Sequence, residues 1–319
     1  MFVKRLEELR KDMFEECGGK AAHLGELTAL KLRVPGGFCV LGDAFYHHLR
    51  SNHLVERLQE IASTINYDDF KDLEEKTKRI RELIINAAIP SEIEDEVIEH
   101  YTKLSDGGQE PFVAVRSSVA IKDSSVSSFP GMMDTYHYIR GAKNVVGKVR
   151  ECWASVWSGR AAFARRSKGF DHFKAVIAPI VQLMVNSDVA GVLFTINPIT
   201  SSKDEIVVEA NWGLGESVVC GRCQSDLYIM TKKPVTIKDK RIARKEMAYR
   251  RAKDGGAEWV PVEPDKVDKP TLTDAQLEEL CEVACAIEEH YGYPQDIEWA
   301  YEGDLLYILQ ARRAKAGGE

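Results

Sequence analysis

The sequence predicts an α+β protein of about two domain-sized units, because strand-like and helix-like segments fall in separate blocks. Four β-prone runs, "IVQLMV", "GVLFTI", "EIVVEA" and "DLYIM", follow one another between 180 and 230 with only turn signals such as "NSD" and "NPITSSKD" between them. Helical periodicity dominates instead from about 43 to 105 and again at 273–292. A doubly wound parallel sheet would need a helix between successive strands, so hairpin-linked strands favour α+β. A length of 319 residues is enough for two units with sizeable cores.

Taken in order, residues 1–33 read as helix around "GGKAAHLGELTALKL", then a turn at "VPGGF" and a short strand "FCVL". The charged helical stretch that follows breaks at "AAIPSE", where Pro90 opens the next helix. "LSDGGQEP" is a loop, "FVAVRSS" a strand, and a Ser/Gly-rich loop ends in "SSFPGMMDT". One long amphipathic helix is predicted over 142–166, and residues 231–270 read as polar and irregular. In "TDAQLEELCEVACAIEEHYG", Thr273 and Gln276 form a capping box, apolar residues recur at helical spacing, and Gly292 marks the stop. "DIEWAY" and "LLYILQAR" then read as a hairpin whose loop is the three residues "EGD". There is no internal repeat and no low-complexity tract.

Composition excludes several classes. With 44% hydrophobic and 29% charged residues the chain has the make-up of a globular protein, and a formal charge of -7 argues against a nucleic-acid partner. No apolar run is long enough to span a membrane and no signal peptide opens the chain, so a cytoplasmic protein without a membrane partner is expected. Seven cysteines, an odd number, fit a reducing compartment. Cys152 and Cys281 fall on apolar helical faces. Cys220 and Cys223 form a C-x-x-C pair without the second pair that zinc needs, which leaves a redox protein as a rival reading.

Three constellations carry candidate chemistry. With a three-residue loop, 301 faces 305 and 298 faces 308, and Glu298, Ile308, Gln310 and Arg312 share one face. Glu298 and Gln310 are then diagonal neighbours roughly 7–8 Å apart, within reach of one cation. Mg²⁺ takes oxygen ligands, and Arg312 could fork onto a phosphate beside it. A two-residue loop would turn Gln310 to the other face, and an edge hairpin with a solvated polar face fits the same residues. "CGGKAAHLG" lacks the Walker A spacing and Ala21 offers no hydroxyl. Glycines and Lys20 at a helix start could still hold an anion, and a plain helix cap with a solvated lysine fits equally. "VAVRSSVAIKDSSVSSFPGMMDT" sets Arg116 at a strand end before a loop with Gly131 and Thr135, either a phosphate lid or an exposed serine-rich turn. "NWGLGES" has G-x-G without the third glycine of a dinucleotide site.

Together, "GGKAAHLGEL", "VPGGF", "VAVRSS", "FPGMMDT", "IVQLMV", "AGVLFTINP", "VVEANWGLGESVVCG" and "PQDIEWAYEGDLLYILQARR" resemble, in order and over nearly the whole chain, one family. It is the N-terminal ATP-binding module of the phosphoenolpyruvate synthase, pyruvate phosphate dikinase and rifampicin phosphotransferase family. The resemblance implies an ATP-grasp fold with the nucleotide between two lobes. Lobe 1 would comprise a mostly helical part, 1–105, and a nucleotide-binding part with the phosphate lid, 106–185; lobe 2, with the metal-binding hairpin, would be 186–319. It implies ATP and Mg²⁺ as cofactors, Lys20 and Arg116 as phosphate-binding cations, and Gly131 and Thr135 as the lid. Gln182 would contact the nucleoside, Glu298 and Gln310 would hold Mg²⁺, and Arg312 would clamp phosphate. Lys20, Arg116 and Arg312 would be the catalytic residues.

The sequence departs from the family pattern at Lys122, where an acid is frequent, at Arg313, where proline is usual, and at Gly36, where proline is common. Family members also carry a swivelling phosphohistidine domain and an acceptor domain, and no Ser/Thr-Ser-His-Ala motif surrounds any of the eight histidines here. The resemblance therefore implies an ATP-grasp subunit that passes phosphate, with release of AMP and phosphate, to a histidine on a separate partner polypeptide. The small subunit of phenylphosphate synthase, which serves phenol, is similar in length. Alternatives are the ATP domain of a split phosphoenolpyruvate synthase or rifampicin phosphotransferase, and a non-catalytic nucleotide-binding regulatory subunit.

Overall fold

The computed structural model describes residues 1–105, 108–121, 134–253 and 255–314. Contacts divide the chain into two compact units, one of Met1–Glu26 with Gly36–Met184, the other of Leu27–Pro35 with Val185–Glu319.

In the first unit the elements are β1 (Val3–Arg5), α1 (Phe14–Ala29), β2 (Gly37–Val40), α2 (Gly42–Ser51), α3 (Val55–Ser63), α4 (Phe70–Asn86) and α5 (Ser91–Lys103). They continue with β3 (Val113–Ile121), β4 (Thr135–Ile139), α6 (Ala142–Ala154), α7 (Gly159–Ser167) and β5 (Ala175–Leu183). The strands form one antiparallel sheet of order β1-β2-β5-β3-β4. The helices have local causes. Asp69 caps α4 by accepting from the N–H groups of Lys71 and Asp72, and Leu73, Thr77, Ile80 and Ile84 recur at 3.6-residue spacing as its buried stripe. α5 starts just after Pro90, as expected, and buries Ile93, Val97 and Tyr101. These stripes join Val113, Val115, Ile177 and Val181 of the sheet in a core that also takes in Trp153 and Trp157.

Two expectations fail here. Residues 1–33 are not one helix: β1 and two 3₁₀ turns precede α1, and α1 is itself interrupted at Gly18. The helix predicted over 142–166 breaks into α6, a 3₁₀ turn at Ser155–Trp157, and α7. Ser158 is extended and its hydroxyl accepts from the Ala161 N–H, so it starts a new helix instead of continuing the old one. The apolar pattern hid the break because the 3₁₀ turn still drives Trp157 into the core, at 2% exposure.

In the second unit come β6 (Val189–Phe194), β7 (Glu205–Trp212), α8 (Glu216–Val219), β8 (Asp226–Lys232) and β9 (Val235–Arg241). After them are β10 (Met247–Arg251), β11 (Ala257–Pro261), α9 (Asp274–Tyr291), β12 (Gln295–Glu302) and β13 (Leu305–Arg313). A six-stranded antiparallel sheet runs β13-β12-β6-β7-β8-β9, and β10 and β11 pair separately. The capping box of α9 and the left-handed Gly292 at its end (φ +75°) are as the sequence predicts. The irregular stretch predicted over 231–270 is instead β9, β10 and β11. β9 is an edge strand whose exposed residues are Thr236, Lys238, Lys240 and Arg241, and charge on an edge guards it against unwanted pairing while masking its strand character.

A buried ion pair ties this region down. Lys245 Nζ lies 2.6 Å from Asp226 Oδ1, both side chains fully buried. The carboxylate also accepts from the N–H groups of Ala243 and Thr271 and from the hydroxyls of Thr271 and Tyr228, at 2.8–3.1 Å. That saturates its lone pairs, the condition under which a buried charge is tolerated. Among the described residues no helix is long and apolar enough to cross a membrane.

Candidate functional site

In the first unit, β3 and its two neighbours gather three of the sequence-predicted residues. Arg116 on β3 stands opposite Thr135 at the start of β4 and opposite Ile180 on β5. Its Nη1 donates to Oε1 of Gln182 at 3.0 Å. Gln182 sits on β5 opposite Ala114 and is 3% exposed, whereas Thr135 is exposed. The hydrogen bond fixes the guanidinium and also occupies the amide oxygen of Gln182. Lys20 lies just after the break at Gly18, in the first turn of the restarted helix. Its ammonium is close enough to draw down the Cys152 thiol, yet burial wins and pushes that thiol up to about 12. Burial likewise raises Cys17, next to the break, to about 12. Both sulfurs therefore stay protonated, inert neighbours near neutral pH. Gly131 and Lys122 lie outside the described residues.

In the second unit the hairpin keeps its expected face but not its expected register. Its loop is two residues, Gly303 and Asp304, with Glu302 opposite Leu305 and Tyr301 opposite Leu306. By parity this would turn Gln310 away from Glu298. A β-bulge between Glu298 and Trp299 corrects it: Trp299 pairs with Ile308 and Glu298 with Gln310, so Leu309 is the extra residue. Ile308 is accordingly a core residue opposite Trp299, not a member of the polar face. Glu298 and Gln310 are direct partners instead of diagonal ones, and Gln310 Nε2 donates to Glu298 Oε1 at 3.2 Å.

Arg312 pairs across the strands with Asp296, a residue that sequence reasoning passed over. Its Nε and Nη2 both lie 2.8 Å from Asp296 Oδ2. Asp296 is 8% exposed. Burial raises its carboxyl above the ordinary value; the Arg312 charge and hydrogen bond pull it back, and Glu298 pushes it further up. The signal was present: Asp296 and Glu298 are two apart on one strand and must share a face.

This face fits a hard divalent cation. Glu298 supplies a carboxylate oxygen with the Gln310 amide beside it; the amide nitrogen faces the carboxylate, so the amide must turn over before its oxygen can join Glu298 on a cation, and Mg²⁺ needs only one or two protein ligands. Among the described residues no group of three or more His, Cys, Asp or Glu could hold a metal unaided. Arg313 stacks over Tyr293, 4.9 Å from the ring centroid, which accounts for an arginine there. Cys220 and Cys223 are half-buried, and burial raises Cys223, opposite to a reactive thiolate. Gly213 of "NWGLGES" has φ +79° and packs on β10, where an added Cβ would meet the Tyr249 carbonyl at 2.4 Å. Close packing alone requires that glycine.

Comparison with known proteins addresses the chain as a whole. The chain is 44% identical to a probable phosphoenolpyruvate synthase of Methanocaldococcus jannaschii, over 98% of this chain and 26% of that protein. It is 40% identical to the phosphoenolpyruvate synthase of Pyrococcus furiosus, over 98% of this chain and 43% of that one. It is also 36% identical to the rifampicin phosphotransferase of Bacillus subtilis, over 97% of this chain and 35% of that protein. The chain thus spans less than half the length of each of these relatives. Residues 14–319 match the model of the pyruvate phosphate dikinase AMP/ATP-binding domain, and the chain belongs to that family.

Proposed function

We propose that this chain binds Mg–ATP and presents a phosphoryl group to a histidine outside these 319 residues. The observation that carries the reading is the pairing of Glu298 with Gln310 beside the Asp296–Arg312 ion pair, a carboxylate, an amide and a guanidinium on one strand face. Bound Mg²⁺ would neutralise charge on the phosphate oxygens. The rest is the work of this chain. Lys20, Arg116 and Arg312 supply positive charge to phosphoryl oxygens, a term that is largely electrostatic and positional in phosphoryl transfer. Asp296 holds the Arg312 fork in one orientation. Gln182 holds Arg116 through its amide oxygen and contacts the nucleoside through what remains of the amide, while Gly131 and Thr135 cover the phosphates.

In the fuller form of this reading, cleavage releases AMP and phosphate, and the histidine belongs to a separate subunit that passes phosphate to an acceptor. The absence of a Ser/Thr-Ser-His-Ala motif from all eight histidines supports an external histidine. The names of the relatives favour phosphoenolpyruvate formation over phenol phosphorylation. The test is transfer from β-labelled ATP to candidate phosphohistidine polypeptides added in trans. The expected result is acid-labile label on the added protein and AMP in solution. Label retained on this chain would overturn the external-histidine reading.

A further inference from the structure

Lys20 and Arg116 stand on different elements, α1 and β3, and one hydroxyl joins the two. α1 is interrupted at Gly18, whose φ of +74° and ψ of 163° are not helical. The helix therefore restarts with Gly18 as its N-cap and Gly19, Lys20 and Ala21 as its first three residues. The N–H of the third residue has no carbonyl to bond within the helix, and an N-cap side chain ordinarily accepts it. Glycine has no such side chain. Ser118, two residues beyond Arg116 on β3, takes its place: its Oγ accepts from the Ala21 N–H at 3.2 Å. A Cβ added to Gly18 would fall 2.4 Å from that Oγ, 2.8 Å from the Ser118 carbonyl carbon and 2.9 Å from the Val119 nitrogen. The strand's hydroxyl thus fills the space that a capping side chain would have used, and only glycine allows so close an approach. Ser118 is 1% exposed and Ala21 fully buried, so solvent does not reach in to replace the bond.

We propose that Ser118 is a positioning residue, a cap supplied by β3 that fixes the start of the Lys20 helix to the strand carrying Arg116. Ammonium and guanidinium then meet the phosphates as one preset pair instead of two independently mobile cations. Ser118 and Arg116 are two apart on the strand and share its face, so a shift of one carries the other. The inference rests on the Mg–ATP reading of Lys20 and Arg116. It adds a residue that touches neither nucleotide nor metal.

The experiment is calorimetric binding of ATP and of adenosine to the wild-type chain, Ser118→Ala, Lys20→Ala and the double variant, with Ser118→Cys as a shape-preserving second probe. Ser118→Ala leaves a buried N–H unsatisfied and should weaken ATP on the order of tenfold while leaving adenosine unchanged. In the Lys20→Ala background the same substitution should add little, because both act on one interaction. Ser118→Cys, with a poor acceptor, should follow Ser118→Ala and decides the matter if the alanine variant does not fold. Equal losses for ATP and adenosine, an unchanged ATP affinity, or losses that add in the double variant would overturn the proposal and leave the Mg–ATP reading standing. A wild-type chain that binds no ATP would remove that reading and this inference together.

Discussion

At the scale of single residues, the hairpin face ranks its own substitutions. Glu298→Ala removes a charged oxygen ligand and leaves phosphate repulsion uncompensated, so single-turnover transfer should fall on the order of 10² or more. Gln310→Ala should be milder, because water replaces a neutral ligand. Single-turnover rates with a phosphohistidine partner check both, and near-normal rates for the pair of variants would take the metal away from this hairpin. Asp296 supplies a pH test. Its pKa is raised in the fold above the ordinary 3.8, by burial first. The folded state therefore holds its proton more tightly than the unfolded chain. The contribution to stability is greatest below about 3.8 and declines as pH rises through the raised value. Asp296→Asn should remove that decline in denaturant titrations; an unchanged pH profile would contradict the assignment. Asp296 was legible only as a parity argument, since an aspartate among apolar residues at a strand start reads as an ordinary flank.

At the scale of elements, the hairpin shows where sequence reasoning reaches the right face by a wrong register. A loop one residue shorter than expected and a bulge of one extra residue cancel in parity, so Glu298 and Gln310 meet as the pattern demanded. Nothing in the alternation distinguishes the two routes, because a bulge is set by neighbouring strands and not by local propensity. β9 to β11 were illegible for a different reason, their charge. The break between α6 and α7 has a titratable consequence. Arg165 Nε donates to His172 Nδ1 at 3.2 Å, and His172 Nε2 lies 2.8 Å from the Tyr67 hydroxyl. The neutral ring fits this pattern. Burial and then the Arg165 charge lower its pKa from 6.5 to about 4. Stability from this group is complete above 6.5 and is lost as pH falls towards 4, at no more than about 1.4 kcal/mol per pH unit. His172→Gln should flatten that slope in urea melts at several pH values, and a slope that persists would assign it elsewhere. In the second unit, Asp226→Ala strands the Lys245 ammonium in the interior and should cost about 3–5 kcal/mol. Denaturant midpoints check it.

At the scale of the whole molecule, the ordered series of motifs identifies the family from the sequence alone, because each motif keeps its place along the chain. Spacing in sequence did not yield the hydrogen bond from Arg116 to Gln182, or the serine that caps the Lys20 helix, since these join residues 66 and 97 positions apart. The central claim is that this chain binds Mg–ATP, with Lys20 contributing charge and Glu298 contributing the metal ligand. The measurement that tests it most directly is calorimetric titration of ATP, with Mg²⁺ and with chelator, into the wild-type chain, Lys20→Ala and Glu298→Ala. The account predicts tighter ATP binding with Mg²⁺ in the wild type. It predicts loss of the Mg²⁺ dependence in Glu298→Ala, and weakened ATP with the Mg²⁺ dependence retained in Lys20→Ala. ATP binding that ignores Mg²⁺ and is unchanged in both variants would contradict it.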